Sequence, residues 1–97
     1  MEQFFEWDEE KAQKNLRKHG VRFEAATKVF DDPLAVSTQD RVVNGECRWQ
    51  TVGTVEGCTL LVVAHTVRDT DDINIIRIIS ARRAEPKERR RYEHGKI

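Results

Sequence analysis

The run CTLLVVAHTV, residues 58–67, is apolar on both of its alternating faces. A stretch of that length reads as a central β-strand covered on both sides, and this constrains the fold more than any other segment. Its neighbours keep the period of two. CRWQTVGTV (47–55) alternates, with Cys47, Trp49, Thr51 and Val55 on one face and Arg48, Gln50 and Val52 on the other. LAVST (34–38) precedes it across an Asn44-Gly45 turn, and INIIRIISA (73–81) follows a polar connection, RDTDD (68–72).

The first third has a different rhythm. FFEW (4–7) predicts a short strand leading into a helix capped by Asp8, with Glu9 and Glu10 in the first turn, where the helix dipole favours acids. Ala12, Leu16 and His19 make a narrow inward stripe, and Gly20 is the expected stop. A second helix over about 23–30 turns Phe23, Ala26, Val29 and Phe30 to one side and ends at Asp31-Asp32-Pro33. Pro86 suits the first position of a C-terminal helix reaching about Glu93. The expectation is one α+β domain over 1–97. It has an N-terminal strand, two helices, then a mostly antiparallel sheet of three or four strands and a last helix, with the helices on one face.

No apolar stretch approaches the roughly 20 residues that span a bilayer. The acidic start, MEQFFEWDEE, is unlike a secretory signal, so the chain reads as cytoplasmic with no membrane partner. The two cysteines agree. If Val55 faces Cys58 across Glu56-Gly57, Cys47 falls opposite Thr66, too far from Cys58 for a bridge.

The formal net charge is zero, yet it is unevenly spread. Residues 1–40 hold nine acidic and six basic residues, whereas from Arg77 onward eight basic residues face three acidic ones. The cluster uses Arg77, Arg82, Arg83, Arg89, Arg90 and Arg91 against only Lys87 and Lys96. Guanidinium groups grip phosphate through paired hydrogen bonds, so the cluster reads either as an anion site or as a solvated helix. Arg77 interrupts the apolar row Ile73, Ile75, Ile79 and needs an acidic partner or an open groove. By strand parity Arg77 and Arg82 point to opposite faces.

Metal-dependent phosphate chemistry has no support in the spacing of His19, His65 and His94, and no Gly-rich phosphate loop is present. No metal or other cofactor is expected. RNA offers a route by side chains alone, because its 2′-hydroxyl is a built-in nucleophile that needs only a proton carrier and cations. His19 stands at a helix end as a candidate proton carrier, or as a capping residue against Trp7. Tyr92 orients the 2′-hydroxyl, stacks on a base or packs, and His65 reads as a core histidine.

The segments FEWDEEKAQKNLRKHGVRFEAA (5–26), VFDDP (29–33) and IISARRAEPKERRRYE (78–93) together resemble the BrnT family of bacterial toxins. The resemblance covers nearly the whole chain. It implies a RelE-like fold and a type II toxin–antitoxin toxin that cleaves RNA without metal and inhibits translation. It also implies neutralisation by a BrnA-like antitoxin with a ribbon-helix-helix DNA-binding part, so that operator DNA is met only through the antitoxin. Carried onto this sequence, Lys18-His19-Gly20, Ser80-Ala81-Arg82 and Glu88, Arg89 and Tyr92 match the family's points. The working mechanism built on them takes His19, Arg82, Glu88 and Tyr92 as the catalytic group: Arg82 holds the scissile phosphate, His19 or Glu88 moves the proton, and Lys18, Arg48, Arg83 and Arg89 hold the flanking RNA backbone. The other reading is a non-catalytic module that docks nucleic acid or a partner through the same basic cluster.

Overall fold

A computed structural model of the chain describes residues 2–95; Lys96 of the basic cluster lies outside them. The elements are β1 (Glu2–Glu6), α1 (Glu9–His19), α2 (Phe23–Ala26), a 3-10 turn (Thr27–Asp31), β2 (Val36–Val43), β3 (Glu46–Val55), β4 (Thr59–Thr70), β5 (Ile73–Arg83) and α3 (Pro86–Glu93). They build one mixed sheet of five strands in the order β1-β5-β4-β3-β2. The expected three or four strands fall short, because β1 joins the sheet edge parallel to β5, pairing Phe5 with Ile76 and Glu6 with Arg77.

Local chemistry sets the boundaries. The Asp8 carboxylate accepts from the Glu10 and Lys11 N–H groups, and Gly20 ends α1 in the left-handed region at φ 70°. Three tight turns join the antiparallel strands. Asn44-Gly45 and Asp71-Asp72 both hold positive φ, as the favoured two-residue hairpin turns require. The polar stretch 68–72 is therefore mostly strand, with only Asp71 and Asp72 turning. Between β3 and β4 the loop holds three residues, Glu56 to Cys58, so Val55 pairs with Thr59. That shifts the expected register by one and moves Cys47 past Thr66; both cysteines are free.

The core lies on the face covered by α1 and α2. Phe23, Ala26 and Val29 are buried against Leu61, Val63, Ile76, Ile78 and Ala81. Trp7 meets Phe23 edge-on at 5.8 Å, and Phe5 tilts against Phe30 at 5.5 Å. The segment 23–30 begins as α-helix and tightens into a 3-10 turn at Thr27, which presses Val29 onto β3. Gly53 permits that approach: a Cβ there would stand 2.8 Å from Val29 Cγ1. Strand β2 starts at Val36, two residues later than LAVST suggested, and runs to the Asn44-Gly45 turn.

The helices do not share one face. Alternate residues Val52, Leu60 and Val62 form a second, smaller cluster with Ala84 and Tyr92, and α3 packs there, on the side opposite α1. Being eight residues long, α3 covers only one end of that face. No helix among the described residues is long and apolar enough to cross a membrane.

Candidate functional site

The uncovered part of the second face is built by a β-bulge. Ala64 pairs with Ser80 but His65 pairs with Ile78, leaving Ile79 as an extra residue in β5. An extra residue reverses the alternation beyond it. Arg77, Ser80 and Arg82 consequently share one face, the reverse of what parity predicts.

Cross-strand rows then order the face. Glu6, Arg77 and Thr66 stand side by side. Continuing the β3–β4 register one place past Trp49–His65 sets Arg48 across from Thr66. The next row is Gln50, Ala64 and Ser80, and the one after it Val52, Val62 and Arg82. Glu6 is shared between Arg68 at 3.0 Å and Arg77 at 3.4 Å, supplying the acidic partner that a strand arginine needs. Its carboxyl is held below the usual range, chiefly by the Arg68 hydrogen bond.

At the other end, Arg82 and Glu88 form a two-pronged ion pair, Nη1 to Oε1 at 2.9 Å and Nη2 to Oε2 at 2.7 Å. Glu88 is 5 % exposed, and its Oε1 also accepts from the Glu85 N–H at 2.8 Å, half of a capping box that starts α3. The Arg82 hydrogen bond lowers the Glu88 carboxyl to about 2 against the opposing effect of burial. Glu88 is thus a fixed carboxylate at neutral pH, suited to orienting Arg82 and unsuited to carrying a proton. Arg82 itself keeps its charge, its pKa raised by the same bond.

His19 lies at a different edge. Past Arg77, β5 has no strand partner on that side, and α1 takes its place. Asn15, not His19, is the buried polar residue of α1. Its amide donates to the Ala81 and Val21 carbonyls at 2.9 and 3.0 Å and accepts from the Ala81 N–H at 3.1 Å. The side chain thereby imitates a paired strand. Beside it runs a groove of about 210 Å³ lined by Lys11, Lys14, Lys18, His19, Ile79 and Ser80. His19 is half-buried there, next to Ser80, while Trp7 packs on Phe23.

The remaining expected residues divide. Tyr92 is committed to the scaffold. Its hydroxyl donates to Asp32 Oδ2 at 2.7 Å, and its ring packs on the second cluster. Burial would raise the Asp32 carboxyl, but hydrogen bonds from Thr54, Tyr92 and Leu34 bring it down to about 2. Arg83 faces the opposite side, lining a cleft with Arg22, Ala25 and Leu61. Arg89 is exposed on α3, and Arg48 is half-buried on the open face. His65 is a core residue: Nε2 lies 2.8 Å from Thr51 Oγ1, Phe30 stands edge-on at 4.9 Å, and burial lowers it to about 4.

Sequence reasoning passed over Asn15 and Thr66. Asn15 left a signal, a polar side chain three residues after Ala12 on the inward stripe. Thr66 left none, since a threonine in a central strand is unremarkable by type.

Fold and site define a small α+β protein with one open, guanidinium-lined sheet face closed at one end by a short basic helix. The chain belongs to the BrnT family: residues 7–88 match the family described as "Ribonuclease toxin, BrnT, of type II toxin-antitoxin system". Membership in such a system implies a protein antitoxin and an RNA target. The crystal structure of the ribonuclease toxin BrnT of Brucella abortus shares this fold, with a TM-score of 0.60 and 22 % sequence identity over 88 % of this chain and 99 % of that one. A search of curated proteins returns no match.

Proposed function

We propose that this chain is a metal-independent, cytoplasmic endoribonuclease toxin that inhibits translation by cutting RNA through its own 2′-hydroxyl. The observation that carries the reading is Arg82. Its guanidinium is held from behind by Glu88 on the open face, one row from Ser80, in a chain of a ribonuclease-toxin family.

In the reaction, the 2′-oxygen attacks phosphorus and forms the O2′–P bond while the P–O5′ bond breaks. The proton leaves the 2′-hydroxyl for a base and returns to the departing 5′-oxygen. His19 is the proton carrier, its groove reaching Ser80 on the strand that carries Arg82. Arg82 stabilises the charge that develops on the phosphoryl oxygens, for which one positioned donor is worth about a hundredfold or more. Glu88 positions Arg82, and Tyr92 acts through the packing of α3. Lys18 and Arg48 contact the flanking backbone, and Arg89 and Arg83 hold its more distant parts. The RelE-like kinship and a BrnA-like antitoxin with a ribbon-helix-helix part belong to the same reading; that antitoxin is what connects the toxin to operator DNA.

The test separates cleavage from docking. Arg82→Ala and His19→Ala should each lower single-turnover cleavage of RNA at least a hundredfold. Each should still bind a 2′-O-methyl, uncleavable oligonucleotide within about tenfold. If both variants cleave at the wild-type rate, the assignment fails. If the wild-type chain binds and never cleaves, alone or with ribosomes, the chain is a docking module.

A further inference from the structure

Beyond Arg82, which Glu88 holds, the open face carries a second group of cationic and polar side chains. It lies in the row Arg48, Thr66 and Arg77. Arg77 and Arg68 divide the single carboxylate of Glu6, and Glu46 opposes Arg68 from β3. At the β2 bulge Asp40 and Arg41 fall opposite Arg48, yet Arg48 makes no ion pair or side-chain hydrogen bond among the described residues. Its Nε is nevertheless buried and without a partner, as is the Thr66 hydroxyl across from it. A desolvated guanidinium N–H with no acceptor is costly, and folded proteins leave few such groups unless a ligand completes them.

Two unsatisfied polar atoms thus meet in one row, flanked by two guanidiniums on strands about 10 Å apart. That span suits a tetrahedral oxyanion gripped from both sides. Along β4, Thr66 is four residues from Val62, the partner of Arg82, which sets the two positions about 13 Å apart.

We propose that Arg48, Thr66 and Arg77 form a second phosphate subsite, which holds another backbone phosphate of the RNA strand whose scissile phosphate lies at Arg82. The inference rests on the ribonuclease reading for the identity of the anion. The subsite fixes the strand's register across the sheet, so its residues govern binding more than the chemical step. Phosphate contacts of this kind position a nucleic acid without reading its sequence.

The experiment uses the whole chain and a single-stranded 2′-O-methyl RNA oligonucleotide, with affinity measured across salt concentrations. Arg48→Ala and Arg77→Gln should each weaken binding several-fold and reduce the slope of log affinity against log salt by about one. Lys28→Ala, an exposed lysine in the 3-10 turn on the other face of the sheet, should leave affinity and slope unchanged. Thr66→Val guards against misfolding: it should melt no lower than wild type yet bind the oligonucleotide more weakly. Wild-type affinity and slope in Arg48→Ala and Arg77→Gln would overturn the subsite, and so would a wild-type chain that binds no oligonucleotide at low salt. Arg48-dependent binding by a chain that never cleaves ordinary RNA, alone or with ribosomes, would instead sink the nuclease reading and leave the subsite standing.

Discussion

Arg82 and Glu88 hold each other through two parallel hydrogen bonds of 2.9 and 2.7 Å, across the junction where β5 hands over to α3. The same carboxylate accepts the Glu85 N–H, so one side chain both starts the helix and aims the guanidinium. Glu88→Gln should lower cleavage toward the level of Arg82→Ala and cost about 2 kcal/mol of stability. The folded carboxyl titrates near 2 and an unperturbed one near 4.5. Its contribution is therefore present above pH 4.5 and lost as pH falls toward 2. Glu88→Gln should flatten the acid limb of a stability–pH curve in that window; an unchanged limb would contradict the pairing.

His65 predicts a second acid dependence, with its own window. The folded imidazole resists protonation until about pH 4, while the unfolded one takes up a proton below about 6.5. Between those values the unfolded state binds more protons, so stability should drop by up to about 3 kcal/mol as pH falls from 6.5 to 4. Urea titrations of wild type and His65→Gln would show it, the variant losing the slope in that window.

Asn15 replaces a missing strand at the edge of β5. Asn15→Ala removes three hydrogen bonds at once and strands the Ala81 N–H and carbonyl in a buried place. A loss of about 2–4 kcal/mol is expected, read as a lower midpoint in denaturant. A change below about 0.5 kcal/mol would mean that water replaces the amide.

Tyr92 supplies the sharpest contrast between scaffold and chemistry. Tyr92→Phe keeps the ring on Val52, Leu60 and Val62 and deletes only the hydroxyl that Asp32 accepts. It should cost about 1 kcal/mol and leave the cleavage rate within a few-fold of wild type. A hundredfold fall in rate with an intact melting curve would return Tyr92 to the reacting atoms.

Much of the fold is legible where local chemistry is strong. Asp8, Gly20, Asn44-Gly45 and Pro86 each fix a boundary through a cap, a positive φ or a missing N–H. Long-range geometry is what the residues conceal. The parallel pairing of β1 with β5 joins segments some 70 positions apart. A bulge at Ile79 has no residue-type signature, yet it reverses which side of the sheet Arg77 shares with Arg82. The face taken by α3 depends on Val52, Leu60 and Val62 forming a second cluster, which a strand apolar on both sides only half reveals. The arginine cluster is visible by composition. Its division among Arg82, Arg83 and Arg89 on different surfaces is not.

The most direct measurement is cleavage of RNA by the purified chain in excess EDTA, with the product ends mapped and Arg82→Ala run alongside. The account predicts 5′-hydroxyl and 2′,3′-cyclic phosphate ends, formed by the wild-type chain and reduced at least a hundredfold in Arg82→Ala. Cleavage that stops in EDTA, or that leaves 5′-phosphate and 3′-hydroxyl ends, would contradict it.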